Sequence, residues 1–231
     1  LYESYLVIEE IYRNQSILTS SDLVEVQGLY FKKLSAPNEP RKLSQDFSKN
    51  ISLLNLEVRE KQESFAKEVG LLLKDEPVSL IQAPTGIGKT YGYLLPALSQ
   101  AKERQIVLSV PTKILQNQIM EEEGKRLKDV FHIDIHSLKG PHNYLKLDAF
   151  YRSLQENDEN RLFRRFKMQL LVWLTETETG DLDEIGQLYR YQHFLTYLRH
   201  DGNLSSQSLF VTEDFWKRSQ ERAQTCKLLV T

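Results

Sequence analysis

The chain has 231 residues, and its 30 Lys and Arg residues against 32 Asp and Glu give a net charge of −2, so overall charge gives no support to nucleic-acid binding. Hydrophobic residues at 40% and charged residues at 27% are typical of a globular protein and exclude a mostly disordered or collagen-like chain. No apolar run approaches the roughly 18 residues of a membrane span. The single cysteine, Cys226, excludes a cysteine-based zinc site or an iron–sulfur cluster within one chain, and it suits a cytoplasmic, reducing compartment.

Residues 1–57, the N-terminal part of the chain, are predicted to form a connecting segment. Apolar residues at helical spacing predict a helix over 1–15, and a strand bent at Gly28 is predicted over 23–34. Residues 35–50 are rich in Pro, Asn and Ser and predict a linker. Because the chain starts at Leu1 rather than Met and ends in an apolar strand without a turn, we expect it to be a piece of a longer protein.

From residue 58 onwards, strands and helices alternate. Three helices are predicted. The first covers 58–74, the second begins near Gly88 after a Gly-rich turn, and the third runs from Pro111 to about residue 127. The predicted strands lie at 78–82, at 105–110 and within 130–138. Strands that alternate with helices predict an α/β fold with a parallel sheet.

After residue 140 the pattern becomes mainly helical, and more than half of the aromatic residues lie between Tyr144 and Trp216. The final strand at 226–231 is predicted to return to the sheet. The predicted organisation is therefore a lobe over 58–140, a helical insertion over 141–225 and a returning strand.

Residues 83–90 match the phosphate-binding pattern G-x-x-x-x-G-K-[ST], with Ala83 in place of the first glycine. Glycines allow the backbone N–H groups to wrap around phosphate oxygens, and the start of the following helix adds its positive dipole end. Lys89 would bind the β- and γ-phosphates and support catalysis, and the Thr90 hydroxyl would ligate Mg²⁺. The alternative is an ordinary Gly-rich turn, but the flanking strand and helix favour ATP binding. The predicted nucleotide-binding residues are Ala83, Pro84, Thr85, Gly86, Ile87, Gly88, Lys89 and Thr90.

Hydrolysis also needs an acidic pair after a buried strand. Asp75 and Glu76 precede the strand of the loop, and Asp183 and Glu184 do not follow an apolar run. We therefore expect these carboxylates beyond Thr231, and residues 1–231 alone should bind nucleotide weakly and hydrolyse it poorly.

Six short sequence motifs occur along the chain. Their order identifies a family more specifically than any single motif does. Taken together, the chain resembles the DinG branch of the superfamily 2 helicases, relatives of XPD. The segments lie at residues 59–62, 83–90, 91–97, 109–118, 138–145 and 223–231. The resemblance implies an incomplete, RecA-like first lobe of an ATP-dependent helicase or translocase that acts on single-stranded DNA in repair or replication.

The resemblance also implies residue roles. Arg59 and Gln62 would form an adenine-reading motif, although a solvated helix start is the alternative. Thr112 and Lys113 would lie along the phosphates of single-stranded DNA, although the segment could be a simple connection. The residues implied to lie near the DNA path are Lys139, Asn143 and Tyr144, and Tyr144 could stack on a base or pack in the core.

One position departs from the iron–sulfur members of this family. Lys146 stands where those members carry a cysteine, so we expect no iron–sulfur cluster, and an aromatic core would replace it as the stabilising element. This pattern resembles the Gram-positive DinG subgroup, in which an exonuclease-like domain precedes the helicase part.

Residues 161–167 mix basic and aromatic side chains, so Arg164 and Arg165 are candidate contacts to single-stranded DNA. The alternative is an amphipathic helix with Leu162, Phe163 and Phe166 in the core. Two other functions stay open: an ATP-regulated DNA clamp of a 3′→5′ exonuclease, and a non-catalytic nucleotide-binding module. The expected partners are single-stranded DNA and the rest of the polypeptide, with no membrane.

Overall fold

The computed structural model describes most of the chain, and the predicted helix over 1–15 lies outside the described part. The described residues are 22–34, 39–75, 77–101, 104–156, 159–186 and 188–231. None of the helices in these ranges is both long and apolar enough to cross a membrane.

Helices and short strands make up the described structure. The α-helices are α1 Phe47–Leu53, α2 Glu60–Asp75, α3 Lys89–Gln100, α4 Lys113–Ile119, α5 Lys125–Phe131, α6 Leu147–Gln155, α7 Arg161–Leu174, α8 Gln192–Leu198 and α9 Phe215–Thr225. The strands are β1 Leu23–Val26, β2 Leu29–Lys32, β3 Ile106–Leu108, β4 Ile135–Ser137 and β5 Leu228–Val230. A π-helical turn, Met120–Gly124, joins α4 to α5.

The described residues form two compact units. The sheet unit comprises the described residues of 39–138 together with 222–231, and the helical unit comprises 22–34 together with those of 139–221. Which functional domain each segment belongs to stays a prediction.

In the sheet unit, three parallel strands lie in the order β3, β5, β4. Leu228 of β5 pairs with Ile106 on one side and with Ile135 on the other, so the chain returns to the middle of the sheet after the helical segment. All three residues of β5 are buried, as expected for a central parallel strand. The predicted α/β fold with a parallel sheet is confirmed.

The predicted strand over 78–82 is wrong for the described structure. These residues form no strand, and the Val78 and Leu80 side chains are 88% and 101% exposed. A strand exists only when its backbone is paired, and none of the described strands lies beside this segment.

The predicted linker over 35–50 extends too far, because α1 begins at Phe47. The Asp46 side chain caps this helix by accepting hydrogen bonds from the backbone N–H groups of Ser48 and Lys49, at 3.0 and 3.4 Å. Phe47 and Ile51 of α1 then enter the core of the sheet unit.

In the helical unit, the predicted single strand over 23–34 is a hairpin. Gln27 and Gly28 both have positive φ, 54° and 79°, which is the geometry of a two-residue hairpin turn. β1 and β2 pair in an antiparallel manner, and Leu29 and Phe31 of β2 point into the core.

Aromatic rings fill much of the core of the helical unit. Phe166 of α7 stacks on Tyr191 with a centroid distance of 4.3 Å, and Phe163 stacks on Phe194 at 4.5 Å. Leu162, which the sequence placed in the core, is 45% exposed, although it lies one turn before the buried Phe166, in the first turn of α7.

A buried histidine fixes the start of α9 in the helical unit. His200 is fully buried, and its Nδ1 accepts a hydrogen bond from the backbone N–H of Gly202 at 2.9 Å. Nε2 therefore carries the proton and donates a hydrogen bond to the Asp214 carboxylate, at 3.1 Å. Asp214 in turn accepts from the backbone N–H of Lys217 at 2.8 Å. The imidazole thus links Gly202 to the first turn of α9.

Replacing His200 by alanine should lower the free energy of unfolding by about 2–4 kcal/mol, because it opens a cavity and takes one hydrogen-bond donor from a buried carboxylate. Denaturant unfolding measures this loss. His193→Ala removes an exposed histidine from α8 and should change stability by no more than about 0.5 kcal/mol. Equal effects of the two substitutions on stability would contradict a structural role for the hydrogen-bonded pair of His200 and Asp214.

Candidate functional site

The residues of the phosphate-binding motif form an open loop before α3. Gly86 and Gly88 both have a φ of 81°, a left-handed conformation that favours glycine. Space around Gly86 is open, since a Cβ there would meet nothing within 4 Å. Among the described residues, no side chain caps the start of α3. The first N–H groups of the helix are therefore not taken by a capping group from this part of the chain and suit an anion.

Lys89, the first residue of α3, extends over this loop. Its Nζ donates to the carbonyl oxygens of Ala83 and Pro84, at 3.1 and 3.2 Å. Both acceptors are neutral backbone groups of an exposed loop, so the ammonium can exchange them for a phosphate at little cost.

Arg59 and Gln62, predicted to read adenine, lie against the same loop. Arg59 Nη1 donates to the Gly86 carbonyl oxygen at 3.4 Å, and Gln62 Nε2 donates to that of Gly88 at 2.8 Å. Gln62 is buried, and a Cβ on Gly88 would lie 2.2 Å from its Nε2. These contacts make Gln62 a support of the loop, and its adenine-reading role stays a prediction.

Close packing of α2 on α3 brings Arg59 and Gln62 to the loop. A Cβ on Gly92 of α3 would lie 2.6 Å from the ring of Phe65 in α2. Gln100 near the end of α3 donates to the Gly70 carbonyl oxygen of α2 at 2.9 Å. These contacts hold the middle of α2 against both ends of α3, and the first turn of α2 therefore lies beside the loop.

The π-helical turn of the sheet unit holds a half-buried carboxylate, Glu123, that the sequence did not predict. Burial is the main reason that the pKa of Glu123 is raised. Burial also raises the pKa of Tyr93 in α3. Glu123 lies in a run of three glutamates that resembles a solvated helix face, so the sequence carried no signal for it.

Thr112 and Lys113, the predicted phosphate contacts, lie at the exposed start of α4 in the sheet unit. Thr112 caps this helix, because its Oγ1 accepts from the backbone N–H of Leu115 at 3.2 Å. Gln116 positions the helix at the carboxyl edge of the sheet by donating to the carbonyl oxygens of Leu138 and Val230, both at 3.0 Å. Both predicted residues are accessible to a nucleic acid.

Lys139 and Tyr144, by contrast, are buried in the helical unit. Lys139 Nζ lies 2.5 Å from Asp181 and 2.9 Å from Asp183, and its side chain is 2% exposed. Burial lowers the pKa of this lysine, but the two aspartates outweigh burial and the pKa is raised. The Tyr144 hydroxyl hydrogen-bonds to Ser219 at 2.8 Å. These placements argue against direct DNA contacts by either residue, since both would have to leave a satisfied buried cluster.

The neighbouring positions are more accessible. Asn143 is half-buried and donates from Nδ2 to the Gly140 carbonyl oxygen at 2.8 Å. Lys146, the residue predicted to stand in place of a cluster cysteine, pairs with Asp201 at 2.7 Å. The hydrogen bond from Lys146 is the main reason that the pKa of Asp201 falls to about 2. An ion pair therefore occupies this position, and the expected absence of a cluster stays a prediction.

Arg164 and Arg165 are exposed on α7. Between the aromatic residues of the same helix, Lys167 is buried and lies 4.5 Å from the centroid of the Phe163 ring. The helix is therefore amphipathic, as the alternative interpretation predicted, and it also presents two arginines to solvent.

The fold and this loop are typical of a P-loop nucleotide-binding lobe, and comparison with known proteins assigns the family. Residues 60–177 match the DEAD/DEAH box helicase family, and the chain belongs to it. Relatives include the protein named 3′-5′ exonuclease DinG of Staphylococcus epidermidis, 31% identical over 87% of this chain and 24% of the relative. The protein of the same name from Bacillus subtilis is 36% identical over 71% of this chain and 17% of the relative. The chain thus spans at most about a quarter of the length of these relatives, and the predicted resemblance to DinG proteins is confirmed.

Proposed function

We propose that this chain supplies the ATP-binding part of a helicase or translocase that moves on single-stranded DNA. The observation that carries the proposal is the loop 83–90, with two left-handed glycines, an uncapped helix start and Lys89 over the loop. Membership of the DEAD/DEAH box family supports the same function. The test is ATP turnover by the whole polypeptide with and without single-stranded DNA. We expect DNA to stimulate turnover, and the absence of any turnover would contradict the proposal.

The loop also fits a nucleotide-bound Mg²⁺. Thr90, whose side chain ends in a hydroxyl, follows Lys89 directly in the first turn of α3. Hard oxygen donors of this kind are the ligands that Mg²⁺ prefers. Thr90 would hold the ion, which would neutralise charge on the phosphates when bound.

The DNA-binding role is supported by exposed groups in both units: Thr112 and Lys113 in the sheet unit, and Arg164 and Arg165 in the helical unit. Local basic groups of this kind contact phosphates even when the overall charge is slightly negative.

Reversing the charge of both arginines, Arg164→Glu with Arg165→Glu, should weaken binding of single-stranded DNA about tenfold or more at low salt. The slope of log affinity against log salt should also become shallower, because fewer counterions are released. A fluorescence titration of the whole polypeptide at several salt concentrations measures both quantities.

Arg152→Glu with Lys217→Glu makes the same change in net charge elsewhere on the helical unit and serves as the control. Equal losses in the two double variants would show that only overall charge matters, and unchanged binding in the first would leave α7 without a role in DNA binding.

The name of these relatives, 3′-5′ exonuclease DinG, favours a second candidate. We propose as the alternative that the whole protein is a 3′→5′ exonuclease in which this chain is an ATP-regulated DNA clamp. Nuclease and unwinding assays with and without ATP separate the two. Strand separation that needs ATP favours the helicase, whereas ATP-dependent degradation without strand separation favours the clamp.

A further inference from the structure

Two exposed tyrosines lie in one short segment of the helical unit, on α8 and on the turn before it. Among the Phe, Tyr and Trp residues that the structure describes, only Tyr189 and Tyr197 are exposed, by 69% and 67%. Single exposed apolar side chains are common and need no explanation. Here the exposed aromatic rings of the described chain all fall on one segment, and this points to a surface with a use.

The helix α8 is buried on one face only, and its tyrosine lies on the other. Phe194 and Leu198 enter the aromatic core, where the Phe194 ring stacks on Phe163 of α7 at a centroid distance of 4.5 Å. His193 and Tyr197 lie one turn apart on the exposed face. Their rings meet edge to face, with centroids 6.1 Å apart and an interplanar angle of 85°. This contact orients the Tyr197 ring and leaves most of its surface accessible.

The two segments that meet through the phenylalanine stack are basic. α7 contains four Arg and Lys residues, residues 185–200 contain two more, and neither segment contains an Asp or a Glu. Arg164 and Arg165 are exposed on α7, and Arg190 is exposed with its guanidinium 5.9 Å from the centroid of the Tyr189 ring. In a chain with a net charge of −2, this local excess of positive charge favours a polyanion.

We propose that Tyr189 and Tyr197 form a base-stacking surface for single-stranded DNA; this inference rests on the proposed function and adds two contact residues to it. Exposed rings beside basic groups suit a single strand, because the rings stack on bases while arginines bind phosphates. The bases of a duplex are already stacked on each other, so the surface takes unpaired bases. A polypeptide partner could also cover tyrosines, but the charge of these two segments favours the nucleic acid.

The experiment is Tyr189→Ala with Tyr197→Ala in the whole polypeptide, titrated with a fluorescent single strand of oligothymidylate. We expect the affinity to fall about tenfold or more, because stacking on an aromatic ring contributes a factor of about five or more for each base. The slope of log affinity against log salt should not change, because an uncharged ring releases no counterions. This constant slope distinguishes the tyrosines from Arg164 and Arg165, whose reversal makes the slope shallower.

Tyr189→Phe with Tyr197→Phe is the matched control, since it keeps both rings and should keep the affinity within about twofold. A second probe is a strand of equal length built from abasic nucleotides, which has the phosphates but no bases. The alanine variant should bind this probe as tightly as the unmodified protein does. Leu209→Ala removes an exposed apolar side chain elsewhere on the helical unit and should leave the affinity for both probes unchanged.

The outcomes separate this inference from the proposed function. Unchanged affinity of the alanine variant for oligothymidylate would overturn the inference and leave the tyrosines to a polypeptide partner. An equal loss for the two probes would also overturn it, because the loss would not depend on bases. If the unmodified polypeptide does not bind oligothymidylate at all, the proposed function itself fails. If the double variant does not fold, Tyr197→Ala takes its place, and an affinity that does not fall about fivefold would overturn the inference.

Discussion

Replacing Lys89 by alanine is expected to weaken ATP binding about a hundredfold. The ammonium lies over the phosphate-binding loop and donates to the Ala83 and Pro84 carbonyl oxygens at 3.1 and 3.2 Å. On binding it would exchange these for charge-assisted hydrogen bonds to phosphate, each worth about 1.5–3 kcal/mol. At the lower end of this range, two such bonds correspond to about 3 kcal/mol of binding free energy, or about two orders of magnitude in affinity. Calorimetric titration of the whole polypeptide with a non-hydrolysable ATP analogue measures the loss.

Lys74→Ala is the control for this substitution, because it removes an exposed lysine at the far end of α2. The melting temperature should change little in Lys89→Ala, since the hydrogen bonds of the lysine to described residues go to two carbonyl oxygens of the open loop. ATP binding by Lys89→Ala as tight as by Lys74→Ala would refute nucleotide binding at this loop. The helicase and clamp proposals would then both lose their basis.

Truncating Phe166 to alanine is expected to lower the stability of the helical unit by about 3–5 kcal/mol. This ring is fully buried and stacks on Tyr191 at a centroid distance of 4.3 Å. The loss combines the transfer free energy of a large side chain, the cavity that remains and the missing aromatic contact. Both tryptophans of the chain, Trp173 and Trp216, lie in the helical unit. Their fluorescence during denaturant unfolding of this chain therefore reports on that unit.

Tyr189→Ala is the control, because this aromatic side chain is 69% exposed and only two residues from Tyr191. It should change stability by no more than about 0.5 kcal/mol. A small effect of Phe166→Ala would mean that the aromatic core does not hold the helical unit together. The prediction that such a core stabilises this part of the chain without a metal cluster would then be wrong.

The nucleotide loop could be predicted from the sequence because its chemistry is local. Eight consecutive residues carry the left-handed glycines, the lysine and the hydroxyl, and their geometry depends mainly on the backbone preferences of those residues. Arg59 and Gln62 required the order of motifs as well, because they lie more than twenty residues before the loop. The packing of Phe65 in α2 on Gly92 in α3, which the sequence does not show, is what places Arg59 and Gln62 beside the loop.

Burial of the remaining candidates could not be predicted in this way. Lys139 resembles a surface lysine in sequence. Its ammonium can be buried because Asp181 and Asp183, from a distant segment, offset the free-energy cost of removing the charge from water. Glu123 resembles its two neighbours in sequence, but it lies in a π turn that no sequence pattern predicts and is half-buried, whereas Glu121 and Glu122 are exposed.

The sequence by itself determined the alternation of helices and strands, the parallel sheet and the phosphate-binding loop. These follow from apolar periodicity and from the conformational freedom of glycine, both of which act over a few residues. Only the tertiary structure decided that β5 lies between β3 and β4, that residues 78–82 form no strand, and which charged groups face the loop. Pairing and burial depend on contacts between residues far apart in the chain, because a strand needs a partner and a buried charge needs an opposite one.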